Sequence, residues 1–425
     1  MLRFAPSPTA DMHIGDLRLA LFNYLIAKKR KEDFIIRIED IDKEKNIDGK
    51  DQEILDTLGL FGIEHTQVIY ASQNFRFHSA MALQLLHEKK AFSCFCSDEW
   101  IEKKKAEAKE ANKPYFYDDA CRNLPAELVI DNTAPFTVRI VRPDREIIIN
   151  DEAKGEVHFE PDTIDSFVIM NQDKTPTYDF ATAVDDMLND ISFIIREESE
   201  INHSGKQIHI RNELNYNKEI IYAHIPPLLN AQDITIKSLL EAGYLPEAIS
   251  NYLISIGNEL SQEIFTLQEA QEWFSLKSLS KEPLEFDIKR LREINQAHLK
   301  GMEAKDLSRY VGFADADIGE LARVYANELF TTRELKEKIA PLFEQREIPE
   351  ALKDDVEAIK AALKKAPYFD DYTACKKYLL QETDIIETKL LKPFLFLLTN
   401  QEDMLEKDIE KIYGALKNYI GEIIK

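Results

Sequence analysis

The sequence predicts an α/β domain built on a parallel sheet, which is split by an inserted α+β domain and followed by a helical half. Three observations lead to this prediction. The chain opens with a strand–helix–strand pattern over residues 2–38, short apolar strands alternate between 136 and 159, and almost only helical periodicity follows residue 246. A chain of 425 residues is also too long for one hydrophobic core, so several domains are expected.

The first predicted strand covers residues 2–5, and Pro6 and Pro8 then impose an extended turn without backbone donors. Apolar residues recur at helical spacing over 17–25, and a second buried strand follows at 34–38. In such a unit a ligand lies beyond the carboxyl end of the first strand, where the helix N-terminus offers N–H groups to a phosphate.

The triplet His13-Ile14-Gly15 stands at the predicted start of this helix. His13 can donate to phosphate oxygens, and Gly15 lets the backbone or an adenine ring approach closely. The alternative is a helix cap with a chance triplet, because short motifs have a high false-positive rate. The motifs elsewhere in the chain decide between the two.

The pattern changes between residues 80 and 175, where a charged helix over 98–111 precedes the short strands. From Pro176 to Arg196 the apolar strand and helix pattern returns. This order predicts an insert that splits a nucleotide-binding domain.

Composition and charge exclude several classes of protein for this chain. No apolar run approaches membrane-spanning length, and the N-terminus reads as a core strand and not as a leader, so we expect a cytoplasmic protein without a membrane partner. The net charge of −23 argues against a protein that coats nucleic acid indiscriminately. Because the acidity lies outside residues 1–50, it does not exclude a tRNA partner.

A set of motifs stands in one order along the chain: Arg3-Phe4-Ala5-Pro6-Ser7-Pro8-Thr9 before the triplet, Arg37-Ile38-Glu39-Asp40, Pro176-Thr177-Tyr178, Val184-Asp185-Asp186, Lys206-Gln207 and Gly243-Tyr244-Leu245-Pro246. With them the chain resembles a class I glutamyl-tRNA synthetase over nearly its whole length. It particularly resembles the compact second paralogue of bacteria that carry two such enzymes.

The resemblance implies four domains. A Rossmann-type catalytic domain would comprise residues 1–80 and 176–228, with an acceptor-binding insert at 81–175. A stem-contact helical domain would follow at 229–295, and a helical anticodon-binding domain at 296–425.

The resemblance also implies the reaction, in which ATP with Mg2+ activates glutamate and the acyl group passes to tRNA. By motif position, the residues implied to bind glutamate are Arg3, Ala5, Ser7, Glu39, Tyr178 and Arg196. Those implied on the ATP side are His13 and Gly15, both catalytic, with Asp16 and His224. Arg196 suits a substrate carboxylate because its guanidinium can bind one bidentately.

One family signature is missing. The mobile loop Lys-Met-Ser-Lys-Arg should lie between His224 and Gly243, where the sequence is too short and holds the single lysine Lys237. Losing a preorganised donor of this sort costs on the order of a hundredfold to a thousandfold in rate. Asp16 adds a carboxylate near the triphosphate, where a like charge is repulsive.

Three functional hypotheses follow. The first is a monomeric glutamate–tRNA ligase that charges tRNA(Glu) and/or tRNA(Gln), with a tRNA-dependent amidotransferase acting downstream. The alternative is a catalytically weakened or inactive paralogue that acts as a tRNA-binding or regulatory protein. Glutamylation of another acceptor fits the cysteine and tyrosine spacing, but it would leave the helical half without a role.

Three of the four cysteines cluster in the insert, which suits a reduced compartment and a metal site better than disulfides. Cys94, Cys96 and Cys121 reproduce the spacing of a family zinc site, but Asn123 stands at the usual fourth ligand. Tyr117 occupies a ligand position of the related tRNA-queuosine glutamylating enzymes. A structural zinc bound by three thiolates and a phenolate is one expectation; three buried cysteines without metal is the other.

Overall fold

The computed structural model describes residues 1–258, 263–344, 347–400 and 408–425. These residues form two compact units. One comprises Met1–Ile236 with most of the segment 253–286, and the other comprises Lys237–Tyr252 with Asp287–Lys425.

The strands, in chain order, are β1 (Leu2–Phe4), β2 (Phe34–Ile38), β3 (Gln67–Tyr70), β4 (Ala91–Cys94), β5 (Thr137–Ile140), β6 (Ile147–Asp151), β7 (Gly155–Phe159), β8 (Val168–Met170), β9 (Phe193–Glu197), β10 (Ile221–Ile225), β11 (Leu228–Leu229) and β12 (Leu284–Glu285). The α-helices before residue 236 are α1 (Ile14–Arg30), α2 (Lys50–Leu60), α3 (Phe75–His87), α4 (Asp98–Glu110), α5 (Ala126–Ile130), α6 (Tyr178–Leu188) and α7 (Ile201–Glu213).

The later α-helices are α8 (Ile236–Glu241), α9 (Pro246–Ser255), α10 (Leu267–Trp273), α11 (Ile288–Gly301), α12 (Ala304–Tyr310), α13 (Ala316–Tyr325), α14 (Thr332–Ile339), α15 (Lys353–Leu363), α16 (Tyr372–Glu382), α17 (Glu387–Thr399), α18 (Ile409–Leu416) and α19 (Ile420–Ile423). After Phe286 the described part of the chain holds helices and no strand.

A seven-stranded sheet forms the centre of the first unit, in the order β3-β2-β1-β9-β10-β6-β7. Its first six strands are parallel, and β7 pairs antiparallel with β6 at the edge. All five residues of β2 are buried, as helices on both faces of a parallel sheet require. The α/β fold class with a mostly parallel sheet and a helical C-terminal part is therefore confirmed.

The segment predicted as an insert divides between two sheets. Its strands β4, β5 and β8 form a separate antiparallel sheet, whereas β6 and β7 extend the central one. The limits of the four domains stay a prediction. None of the helices in the described ranges is both long and apolar enough to cross a membrane.

Candidate active site

A cavity of about 410 Å³ opens at the carboxyl ends of β1 and β9. These strands are neighbours, and the next strand after β1 lies towards one edge of the sheet while the next strand after β9 lies towards the other. Open α/β sheets bind ligands at such a reversal of strand order. The predicted site residues among its lining are Arg3, Ala5, Ser7, His13, Asp16, Tyr178 and Arg196. Glu39 lines an adjoining cavity of about 910 Å³, which shares Ser7 and Tyr178 with the first.

A buried ionic network joins two predicted glutamate-binding residues, Arg3 and Glu39. Asp186 accepts from Nε of Arg3 at 3.0 Å and from Nη1 of Arg37 at 2.5 Å. Arg37 in turn donates from Nε to Glu39 at 2.8 Å. Burial alone would raise the pKa of Asp186, but the guanidinium groups of Arg3 and Arg37 hold that pKa well below its usual value. The network therefore fixes both residues and neutralises the charge of Arg3.

Arg196 has a different environment. Its guanidinium donates to Gln207 Oε1 at 3.1 Å, to His224 Nε2 at 3.2 Å and to Ser204 Oγ. None of these acceptors is a carboxylate, and no ion pair joins Arg196 to another described residue. Burial lowers the pKa of Arg196, as expected for a cation without a counterion. The cavity thus holds a buried positive charge that an anionic substrate group can balance.

The start of α1 is tied to the segment that precedes α8. Ile14 N donates to Ile234 O at 3.0 Å, and Ile236 N donates to Met12 O at 2.9 Å, so His13 lies between two backbone hydrogen bonds. Asp16 accepts from the backbone N–H of His13 at 3.0 Å, which caps the helix. Burial raises the pKa of Asp16. The Asp16 carboxylate, which the sequence predicts to lie near the triphosphate, therefore also accepts a hydrogen bond that stabilises the start of α1.

The structure places Gly15 and His224 outside the described cavity lining. A Cβ built on Gly15 would meet no atom within 4 Å, so the space beside it is open. The His224 side chain is fully buried behind Arg196, with both ring nitrogens engaged by protein groups. His224 contacts the cavity through Arg196, and this contact was not part of its predicted role on the ATP side.

The cavity contains no lysine among its described lining residues. Its cationic groups are Arg3 and Arg196, whereas Asp11, Glu197 and Glu200 add carboxylates besides Asp16. Lys237, the one lysine of the missing-loop region, is exposed in the first turn of α8. Between His224 and Gly243 the structure shows the short strand β11 and the helix α8.

The three clustered cysteines meet near the end of β4. The sulfur atoms of Cys94, Cys96 and Cys121 all lie within 4.8 Å of one another, and those of Cys96 and Cys121 are 3.6 Å apart. The Tyr117 hydroxyl lies 3.4 Å from the Cys94 sulfur and 3.5 Å from that of Cys96. Tetrahedral zinc–sulfur bonds of about 2.3 Å place sulfurs roughly 3.8 Å apart, so this donor set fits a zinc ion.

Arg139 adds a cation beside this cluster. Its Nε donates to the Cys94 sulfur at 3.3 Å, and its guanidinium lies 3.9 Å from the centre of the Tyr117 ring. Burial opposes thiolate formation at Cys94, but the hydrogen bond between its sulfur and the Tyr117 hydroxyl, together with the Arg139 guanidinium, gives a net lowering of the Cys94 pKa. Burial raises the pKa of Cys96 to about 12. The Arg139 cation therefore favours the thiolate form of Cys94.

Sequence reasoning did not single out several residues that hold the site together: Arg37, Asp151, Asp186, Ser204 and Gln207. Arg37, Asp186 and Gln207 stood in motifs that were recognised, but no role in the site was assigned to them. For Asp151 no sequence pattern was available, because its partner His224 lies 73 positions away.

Three comparisons relate this geometry to known proteins. Residues 1–293 match the family model for tRNA synthetases class I (E and Q), catalytic domain. The chain is 56% identical to glutamate–tRNA ligase 2 of Sulfurimonas denitrificans and 46% identical to glutamate–tRNA ligase 1 of a Nitratiruptor species, with all of both chains covered in each case.

Among solved structures, the fold resembles a glutamate tRNA ligase of Elizabethkingia meningosepticum in complex with its amino acid. The TM-score is 0.81 at 21% identity, and the match covers 99% of this chain and 98% of the other. The similarity at this level of identity concerns the fold. Together with the family match, which includes the whole cavity, these findings show that the chain belongs to the class I tRNA synthetases of the E and Q family.

Proposed function

We propose that this protein is a glutamate–tRNA ligase that acts in the cytoplasm. It activates glutamate with ATP and transfers it to tRNA(Glu) and/or tRNA(Gln). The observation that carries the proposal is the buried Arg196 cation, which faces the cavity without a carboxylate partner. The full-length relatives named glutamate–tRNA ligase support the same activity.

Different cavity residues bind different groups of the two substrates. Arg196 binds one carboxylate of glutamate, while Arg3 and Glu39, held by Asp186 and Arg37, recognise the charges at its α-carbon. ATP lies against the start of α1, where His13 lines the cavity and the helix N-terminus favours negative charge. A bound magnesium ion would supply positive charge that offsets the charge of the phosphates. The chain acts by positioning and by stabilising charge on phosphate oxygens, because phosphoryl transfer needs little covalent help.

Pyrophosphate exchange tests this function. The assay contains glutamate, ATP and bulk tRNA, with glutamine replacing glutamate in a parallel reaction. Exchange that depends on glutamate and tRNA supports the proposal. No exchange above a protein-free blank, in a preparation that binds glutamate and tRNA, would instead support a tRNA-binding protein without turnover.

We also propose that turnover is slow. None of the described residues that line the cavity is a lysine, and the Lys-Met-Ser-Lys-Arg loop is absent from the sequence. The alignments with the first two relatives span 434 positions against 425 residues, so each leaves at least nine gaps in this chain. A deletion of the loop agrees with that difference.

For the cysteine cluster we propose a structural zinc ion held by Cys94, Cys96, Cys121 and Tyr117. Elemental analysis of protein purified without added zinc should give about one zinc per chain. Cys121→Ser should release it, because one of four ligands is lost. Cys375→Ser is the matched control, since Cys375 is buried in α16 and is not a member of the cluster, and it should retain the metal. Metal-replete protein without zinc would favour three buried thiols.

The remaining assignments concern partners. We propose that the insert at 81–175 receives the tRNA acceptor end, and that helices after 229 contact the stem and, from 296, the anticodon. A monomer suffices for this arrangement. If tRNA(Gln) is charged with glutamate, a tRNA-dependent amidotransferase must act on the product. Charging of purified tRNA(Glu) and tRNA(Gln) separately tests which isoacceptor is used.

A further inference from the structure

A buried carboxylate lies behind the proposed glutamate pocket, connected to it through one histidine. Asp151 ends β6, and its side chain is completely buried. Its Oδ1 accepts the backbone N–H groups of Ala153 at 2.9 Å and Lys154 at 2.8 Å, which fixes the carboxylate in the turn after the strand. Its Oδ2 accepts from the backbone N–H of His224 at 3.0 Å and lies 2.6 Å from Nδ1 of the ring.

These partners determine the tautomer of His224. A carboxylate can only accept, so Nδ1 of the ring carries the proton that is shared with Asp151. On the other side, Nε2 lies 3.2 Å from Nε of Arg196, and a guanidinium can only donate. Nε2 is therefore an unprotonated acceptor. Ser204 agrees with this assignment, because its Oγ accepts from Arg196 and can donate its own proton to Nε2 at 2.8 Å.

The electrostatic environment keeps this state. Burial lowers the pKa of His224, and the charge of Arg196 adds to that effect, although Asp151 opposes it. Burial alone would raise the pKa of Asp151, but the hydrogen bonds from His224 and from Lys154 lower it below the usual value. A neutral imidazole therefore separates a buried anion from a buried cation.

The arrangement leaves Arg196 ready for a substrate carboxylate. A guanidinium has five N–H groups, and His224, Ser204 and Gln207 take three of them, one on each nitrogen. One N–H on each terminal nitrogen remains free to donate to a substrate carboxylate. Gln207 is itself oriented, because its amide donates to Asp179 at 3.3 Å. Had Asp151 contacted Arg196 directly, it would have neutralised the charge, as Asp186 does for Arg3.

We propose that Asp151 and His224 are positioning residues for substrate binding: Asp151 fixes the Nδ1-protonated tautomer of His224, and His224 then orients Arg196 towards the cavity through Nε2. The inference rests on the proposed role of Arg196 in binding the glutamate carboxylate. The opposite tautomer would place two donors 3.2 Å apart and displace the guanidinium.

The first test reads the tautomer directly. In protein labelled with 15N at histidine, the His224 signals are assigned by their loss in His224→Gln. We expect a protonated Nδ1 and an unprotonated Nε2. A protonated Nε2, or a doubly protonated ring at neutral pH, would overturn the proposal whether or not Asp151→Asn folds.

The second test uses Asp151→Asn, in which Oδ1 can still accept the backbone N–H groups of Ala153, Lys154 and, at 3.2 Å, His224. The amide NH2 then faces Nδ1, so the ring proton should move to Nε2. We expect glutamate affinity, measured by equilibrium dialysis, to fall by about tenfold or more while ATP affinity stays within about twofold. Glu146→Gln is the matched control, because it alters an exposed carboxylate–histidine contact of the same hairpin at 2.7 Å and should change neither.

The outcomes separate this inference from the function on which it rests. If the tautomer shifts in Asp151→Asn and glutamate affinity is unchanged, while Arg196→Ala loses it, the positioning role is wrong and the function stands. Equal losses of glutamate and ATP affinity in Asp151→Asn would indicate general damage to the fold and would also overturn the proposed positioning role. If Arg196→Ala keeps glutamate affinity, the pocket assignment itself fails.

Discussion

Arg196→Ala is expected to remove measurable glutamate binding, by about a hundredfold or more, and to leave ATP affinity within about twofold of the unmodified chain. Two charge-assisted hydrogen bonds to the substrate carboxylate are lost together with the only buried cation of the described cavity that lacks a carboxylate partner. ATP should be unaffected because its proposed contacts lie at the start of α1. Titration calorimetry with each substrate measures both affinities.

Arg196→Lys is the matched control. A lysine keeps the positive charge but lacks the planar fork and the three neutral contacts that hold it, so an intermediate loss of glutamate affinity is expected. Unchanged glutamate affinity in Arg196→Ala would exclude this residue from the pocket. An equal loss in both variants would show that the geometry of the fork matters more than the charge.

Local patterns were enough to predict the central elements of the first unit. The buried run Phe34–Ile38 is β2, the helical spacing after His13 is α1, and the charged stretch from Asp98 is α4. Each of these elements can be recognised from its own residues, because the spacing of apolar and polar side chains over a few positions distinguishes a helix from a strand. The cysteine spacing likewise predicted that Cys94, Cys96 and Cys121 would meet.

Contacts between distant residues were harder to predict. Nothing in the strand pattern of 147–159 indicates that β6 pairs with β10 and so joins the central sheet. The ion pair of Arg3 with Asp186 spans 183 positions, and the contact of Asp151 with His224 spans 73. A single sequence gives the residue types of such pairs but not their proximity. For this reason most residues that the sequence predicted for the site lie together in the structure, whereas the residues that hold them in place were not predicted.

Asp16 illustrates the same limit. From the sequence, its carboxylate is an unfavourable charge near the ATP phosphates. In the structure it also accepts the backbone N–H of His13, so it stabilises the start of α1. Asp16→Asn should preserve this hydrogen bond, because the amide oxygen can accept it, and should remove only the charge. The substitution therefore separates the two effects.

The missing lysine loop should uncouple binding from rate. The ground-state contacts of the pocket are present, whereas the donors that meet the phosphates as charge develops are absent, so the chain should bind glutamate and ATP normally. It should charge tRNA more slowly than an ordinary synthetase of the family by roughly a hundredfold or more. Single-turnover charging with saturating substrates measures the chemical step without product release.

Grafting Lys-Met-Ser-Lys-Arg between Gln232 and Thr235, combined with Asp16→Asn, should raise this rate with little change in substrate affinity. The insertion belongs before Ile234, because Ile234 and Thr235 pair with the segment around His13 and that pairing fixes the signature histidine. The same graft with both lysines replaced by Ala is the matched control, since it lengthens the loop without adding cations. Equal rates for the two grafts would mean that loop length, and not charge, limits the reaction. Rapid charging by the unmodified chain would contradict the prediction outright, because it would require another cation to stabilise the departing pyrophosphate in a cavity where no described lining residue is a lysine.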